Sequence, residues 1–125
     1  MAAYFTVVKQ RNPRNPSELI YFPRSASAGE VDMEEVIHKA EMISTVSGAD
    51  VVAVNRAEAD IMARGLLEGK IVRLGDIGDF RLTFQANACK SEEEVTSKSI
   101  VKTHIIYTPG YPVRQQLRRL TFKKL

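Results

Sequence analysis

"LLEGKIVRLGDIGDFRL", residues Leu66 to Leu82, changes period halfway along. Up to Gly69 the chain reads in helical steps. From Lys70 onward apolar and polar residues alternate, which puts successive side chains on opposite faces of a strand. Gly69 stands where a helix ends on a left-handed residue. "GDIGD" (Gly75–Asp79) places two glycines within five residues between "IVRL" and "FRLTF", a tight reversal between two strands. "GDIG" also has the outline of a GxxG nucleic-acid clamp. Such a clamp offers backbone N–H groups to phosphate between two helices, whereas here the flanks are strands, and Asp76 and Asp79 would repel phosphate. Hairpin geometry is the better reading.

Upstream of this switch, residues 30–69 read as two helices. Asp32 followed by Glu35 has capping-box spacing, and Met33, Val36, Ile37, Ala40 and Ile43 recur on one face, with Glu34, Lys39 and Glu41 on the other. "TVSGAD" interrupts the pattern, and Ser47 with Asp50 makes a second helix start. From Gly48 to Leu67, Val52, Ala59, Met62 and Leu66 form one stripe, while Val51, Val54, Ile61 and Leu67 lie elsewhere on the circumference. A helix apolar on more than one side must bury more than one side, which predicts a partner chain.

Downstream, "ANACKSEEEVTSKS" (Ala86–Ser99) is polar and acidic at its centre, and Ser91 with Glu94 has the spacing of a capped helical turn. "IVKTHIIYT" (Ile100–Thr108) is a strand that Pro109 and Gly110 stop. "YPVRQQLRRL" (Tyr111–Leu120) reads as a basic helix with Pro112 in its first turn, and "TFKKL" as a short strand or frayed tail. At the other end, "YFTVVKQ" (Tyr4–Gln10) and "LIYFPR" (Leu19–Arg24) flank a doubled Arg-Asn-Pro, which predicts a hairpin with a long turn. Pro23 cannot donate to a ladder, so the second of these strands should lie at an edge or end there. "SASAGE" (Ser25–Glu30) is the natural linker. The expected organisation is therefore an N-terminal β-hairpin extension and linker at 1–29, followed by one body at 30–125.

The totals are those of a globular chain: 125 residues, 44% hydrophobic and 26% charged. Cys89 is the only cysteine, which rules out an internal disulfide and makes a reducing compartment the default. No apolar run reaches membrane-spanning length, and a soluble cytoplasmic protein with no membrane partner is expected. Charge is segregated. Residues 1–29 carry four basic and one acidic side chain, residues 30–69 three and nine, residues 70–125 eleven and five. The partial nets of +3, −6 and +6 allow a polyanion on some surfaces and exclude it from others.

Catalytic chemistry is hard to find in this sequence. His38 falls in a helix and His104 in a strand, with no second histidine or cysteine at ligand spacing, so no metal site is expected. Glu92–Glu94 lacks the alternating oxygen ligands and glycine of a calcium loop, and Cys89 has no partner for nucleophilic work. No enzyme activity, cofactor or small-molecule substrate is expected.

The order of helix, helix, three strands and helix meets a specific local string. Leu66–Leu82, with its Gly-x-x-Gly-x-Phe hairpin, resembles the corresponding region of the HU and integration-host-factor family of bacterial histone-like DNA-binding proteins. "VSGADVVAVNRAEADIM" is similar to that family's second-helix start, and "IIYTPGYPVRQQLRRL" to its last strand, Pro-Gly bend and final helix. The resemblance covers about residues 31–120. The N-terminal strands look more like the extended HU-related proteins of Bacteroidetes than the short nucleoid form. The resemblance implies an α+β, HU/IHF-like intertwined dimer, with two N-terminal helices, a three-stranded antiparallel β-sheet with an arm, and a C-terminal helix. It further implies binding of double-stranded DNA without strong sequence preference, through two β-ribbon arms that each insert a proline between base pairs.

In this chain the arm, about Thr83–Thr103, departs from that pattern. It holds no proline, and Lys90, Lys98 and Lys102 only balance Glu92, Glu93 and Glu94. Arg-Asn-Pro, the family's arm-tip tripeptide, occurs instead before the first helix. There it is either a second basic projection with Lys9, Arg11 and Arg14 or, as the favoured and plainer reading, a pair of prolines that stiffen a turn whose strands pack on the body. The expected function is a homodimeric, nucleoid-associated protein that bends or compacts DNA. The alternative is the same dimer scaffold serving as a protein-interaction or structural module. Phosphate contacts are expected at Arg73, Arg81, Lys90, Lys98 and Lys102, with Arg114 and Arg118 as second choices.

Overall fold

A computed structural model describes residues 2–125. Along the chain run β1 (Ala2–Asn12), β2 (Asn15–Ala26), α1 (Met33–Ile43), α2 (Gly48–Leu67), β3 (Val72–Arg73), β4 (Gly78–Ala86), two single 3-10 turns (Glu92–Glu94 and Ser97–Ser99), β5 (Ile100–Pro109), α3 (Tyr111–Leu117) and β6 (Thr121–Lys124). The strands form two three-stranded sheets, β2-β1-β6 and β3-β4-β5. The architecture is α+β, as the changes of period predict.

Local chemistry sets the helix ends. The Asp32 side chain accepts from the Glu35 N–H at 3.0 Å and starts α1. At α2 the box is reciprocal: Ser47 Oγ accepts from Asp50 N–H at 3.2 Å, and the Asp50 carboxylate accepts from Ser47 N–H at 3.4 Å. Each such cap is worth about 1 kcal/mol. Gly69, at φ 75°, ends α2. Its N–H reaches the Leu66 carbonyl and the Lys70 N–H reaches the Gly65 carbonyl, both at 3.0 Å, tying off the last turn. The turn at Glu92–Glu94 forms as expected, but Ser91 makes no cap bond there. The box forms one turn later, between Thr96 and Ser99.

The sheet β3-β4-β5 is antiparallel throughout. Its first reversal is locked by tertiary contact. Gly78 has φ 134°, and a Cβ there would fall on the Thr108 carbonyl. The Tyr107 hydroxyl donates to the Ile77 carbonyl at 2.7 Å, and the Gly110 N–H donates to the same oxygen at 3.0 Å. Val72, Phe80 and Tyr107 are cross-strand partners, and the last two stack with ring centroids 5.1 Å apart. A Cβ on Gly65 would meet the Val72 side chain, so α2 lies on this face.

Two expectations at the chain ends need correction, and one left open is resolved. The N-terminal turn is not long: β1 and β2 run on until only Pro13 and Arg14 separate them. The second proline is absorbed by a register shift, since Arg11 pairs with Leu19 but Asn12 with Asn15, leaving Pro16–Glu18 bulged where no ladder donor is needed. The last helix stops at Leu117, short of Leu120, so Arg118 caps it from outside. The tail is a strand, pairing in parallel with Ala2–Phe5 of β1. As Pro23 requires, β2 lies at an edge.

Very little is buried. Among the described residues Leu66 is the one hydrophobic side chain in the interior, at 6% exposure, while Ile61 stands 61% and Ile43 86% exposed. The chain exposes 10790 Å². A compact monomer of 14.0 kDa would expose about 6,700 Å², some ~4,000 Å² less.

Candidate nucleic-acid interface

The face of β3-β4-β5 turned away from α2 is polar. Alternation along β4 puts Asp79, Arg81, Thr83 and Gln85 there, and their partners add Arg73, Ile106, His104 and Lys102. Three of the residues expected to touch phosphate, Arg73, Arg81 and Lys102, thus share one exposed face. Arg73 is partly spent: its guanidinium meets the Asp79 carboxylate at 2.7 Å, with 69% of the Arg73 side chain still exposed. Among the described residues it is the only expected contact in an ion pair.

Beyond Thr83 the two strands leave the body. From Phe84 to Ile105 every residue is exposed except Cys89 and Ser99, which are half-buried. A ribbon exposed on both faces is a projection. Lys90 and Lys98 lie in its terminal loop, on opposite sides of the acidic turn. That loop is folded on itself: the Asn87 N–H reaches the Ser99 carbonyl at 2.8 Å, and the Lys90 N–H donates to the Glu94 carboxylate at 3.3 Å. Arg114 and Arg118 are exposed at α3, which follows β5 but is not part of the ladder.

The profile of a family described as an HU domain fused to a wHTH, Ig or glycine-rich motif matches residues 1–124. The chain belongs to the HU-HIG family. Among solved structures, the HU-HIG chain is similar to a provisionally assigned bacterial DNA-binding protein from Bacteroides vulgatus, with a TM-score of 0.63 and 13% identity. The alignment covers 99% of this chain and 48% of that one, so the chain spans about half the length of its structural neighbour. At that identity the likeness speaks for the fold. No curated protein matches.

The family profile covers the first hairpin as well as the rest of the chain. Reading the sequence for phosphate contacts passed over the hairpin's cations as favoured sites, because the prolines pointed to a turn packed on the body. The structure puts Pro13 and Arg14 at the apex of two strands of eleven and twelve residues. Lys9, Arg11, Arg14 and Arg24 are all exposed there, and none is in an ion pair among the described residues. The signal was the charge count: +3 in residues 1–29 against zero in the arm.

Proposed function

We propose that the chain works as a homodimer that holds double-stranded DNA by its backbone, with little sequence preference, in the bacterial nucleoid. It is a binding protein rather than an enzyme, and the work it does on DNA is bending or compaction. The observation that carries this reading is the polar sheet face, along which Arg73, Arg81 and Lys102 are strung on one side and lead out to the ribbon's Lys90 and Lys98. Each phosphate neutralised by such a cation contributes about 0.9 to the slope of log K against log salt. Family membership and the solved neighbour support DNA as the partner.

Dimerisation is supported by the missing interior. The excess of ~4,000 Å² per chain over a compact monomer is more than the roughly 1,000–2,500 Å² that each partner gives up in an obligate dimer, so a partner chain can be covered by part of it and the projecting ribbons hold the rest. It includes the unused sides of α1 and α2, where Val36, Ile43, Val54, Ile61 and Leu67 are exposed. Two such faces brought together would supply the core that one chain lacks.

One observation favours a second reading. The ribbon's three lysines are offset by Glu92–Glu94 at its end, and no proline stands between Leu82 and Thr108 to part a base step. A dimer with so neutral an arm would suit a protein partner or a structural role. Equilibrium binding to a random-sequence duplex at several salt concentrations, with the mass in solution from sedimentation, decides between them. A dimer with a slope of several units is the expected result. A dimer that ignores DNA at low salt favours the second reading, and a folded monomer overturns both.

A further inference from the structure

We propose that the apex of the β1–β2 hairpin is a second contact with duplex DNA, made by Lys9, Arg11 and Arg14. This rests on the DNA-binding reading above but assigns it to residues outside the β4–β5 ribbon. β6 covers only Ala2–Phe5 of β1, so from Thr6 to Asn12 the sheet has two strands, a reach of about 23 Å. From Lys9 to Leu19 every residue is exposed except the half-buried Asn12.

Positive charge gathers toward the tip of this projection. Its base is apolar, with Phe5, Val7, Tyr21, Phe22 and Pro23 around one hollow, and needs to be covered. Further out Lys9 stands opposite Tyr21 and Arg11 opposite Leu19, with Arg14 at the turn, and the single acid is Glu18, whose carboxylate takes the Asn12 amide at 3.5 Å. Period two puts Lys9 and Arg11 on the same face, about 6.7 Å apart along the strand. Arg14 follows at the turn.

The apex is also pre-set. The Asn12 side chain accepts from the Arg14 N–H at 3.0 Å, Pro13 fixes φ between them, and Ser17 Oγ donates to the Asn15 side chain at 2.7 Å. Little ordering is left for binding to impose. Uncompensated charge on a stiff projection is what a polyanion selects, and the β4–β5 ribbon, with its balanced charge, offers less of it.

The test compares the full chain with the variant Lys9→Gln, Arg11→Gln, Arg14→Gln on a random-sequence duplex across salt. The slope should fall by about 2.7 for each subunit whose hairpin touches the duplex, while Arg11→Lys with Arg14→Lys keeps it. In the unaltered chain, amine-reactive labelling of Lys9 read by mass spectrometry should drop several-fold on adding duplex. If the unaltered chain binds but the slope and the Lys9 labelling stay put, this inference is overturned and the DNA-binding reading stands. An acidic protein would then be the better occupant. If the unaltered chain binds no duplex at low salt, both are overturned.

Discussion

The molecule carries two antiparallel ribbons of nearly equal length that end in opposite ways. The β4–β5 ladder spans Gly78–Pro109 and closes in a loop of residues 87–99 that holds three consecutive glutamates. The β1–β2 ladder closes in two residues, Pro13 and Arg14, with no acid nearer than Glu18. Their footings differ too. At the root of β4–β5, Gly78 and Gly110 let backbones touch, and Tyr107 pins the reversal through the Ile77 carbonyl. At the other ribbon the fixed point is the apex, held by a local Asn12 turn, while the base rests on β6. Strand pairing is thus no guide to where a polyanion goes. The charge left unopposed at each end is.

The largest effect expected on this contrast comes from the root of β4–β5. Gly78→Ala forces a side chain into a conformation that only glycine tolerates and onto the Thr108 carbonyl. We expect a loss of at least about 3 kcal/mol in denaturant unfolding, and a loss near zero would mean the reversal is not locked as described. Next, replacing Glu92, Glu93 and Glu94 together by lysine should make the neutral ribbon the stronger of the two. The slope of log K against log salt should steepen by up to about 2.7 for each subunit whose ribbon engages the duplex. No change would remove that loop from the interface.

A smaller change is expected from Arg81→Gln with Lys102→Gln, which strips two cations from the polar sheet face. The slope should fall by about 1.8 per subunit in contact with the duplex, with the melting temperature held, since both side chains are exposed. Arg73→Gln should do less than either, because Asp79 already shares that charge. An exposed pair of this kind is worth at most about 1 kcal/mol to stability. Smallest of all is Pro13→Ala, which keeps every cation of the β1–β2 apex. The bend angle of a short duplex should be unchanged. A bend that shrinks while affinity holds would give that apex a wedging role as well.

Much of the β4–β5 side was legible because its signals are local. The capping spacings at Asp32 and Ser47, the glycine that ends α2, and the change from helical to alternating period all act within a few residues. The shared face of Arg73, Arg81 and Lys102 also follows from alternation once the register is known. The β1–β2 side was misjudged for the same reason. Arg-Asn-Pro-Arg-Asn-Pro reads locally as a long turn, and only pairing across it shows that one proline takes the apex and the other a bulge. Likewise "TFKKL" has no periodicity to speak of, and it is a strand because β1 lies beside it.

By itself, the sequence settled which segments are helices, where α1 and α2 start and stop, how charge is divided along the chain, and that α2 is apolar on more than one side. Those are short-range matters of hydrogen bonding and composition. The tertiary structure alone decided that the chain's two ends meet in one sheet, that two ribbons project rather than one, and how nearly bare a single copy is. Such facts depend on contacts between residues far apart in sequence, and no window of neighbouring residues contains the energy that selects them.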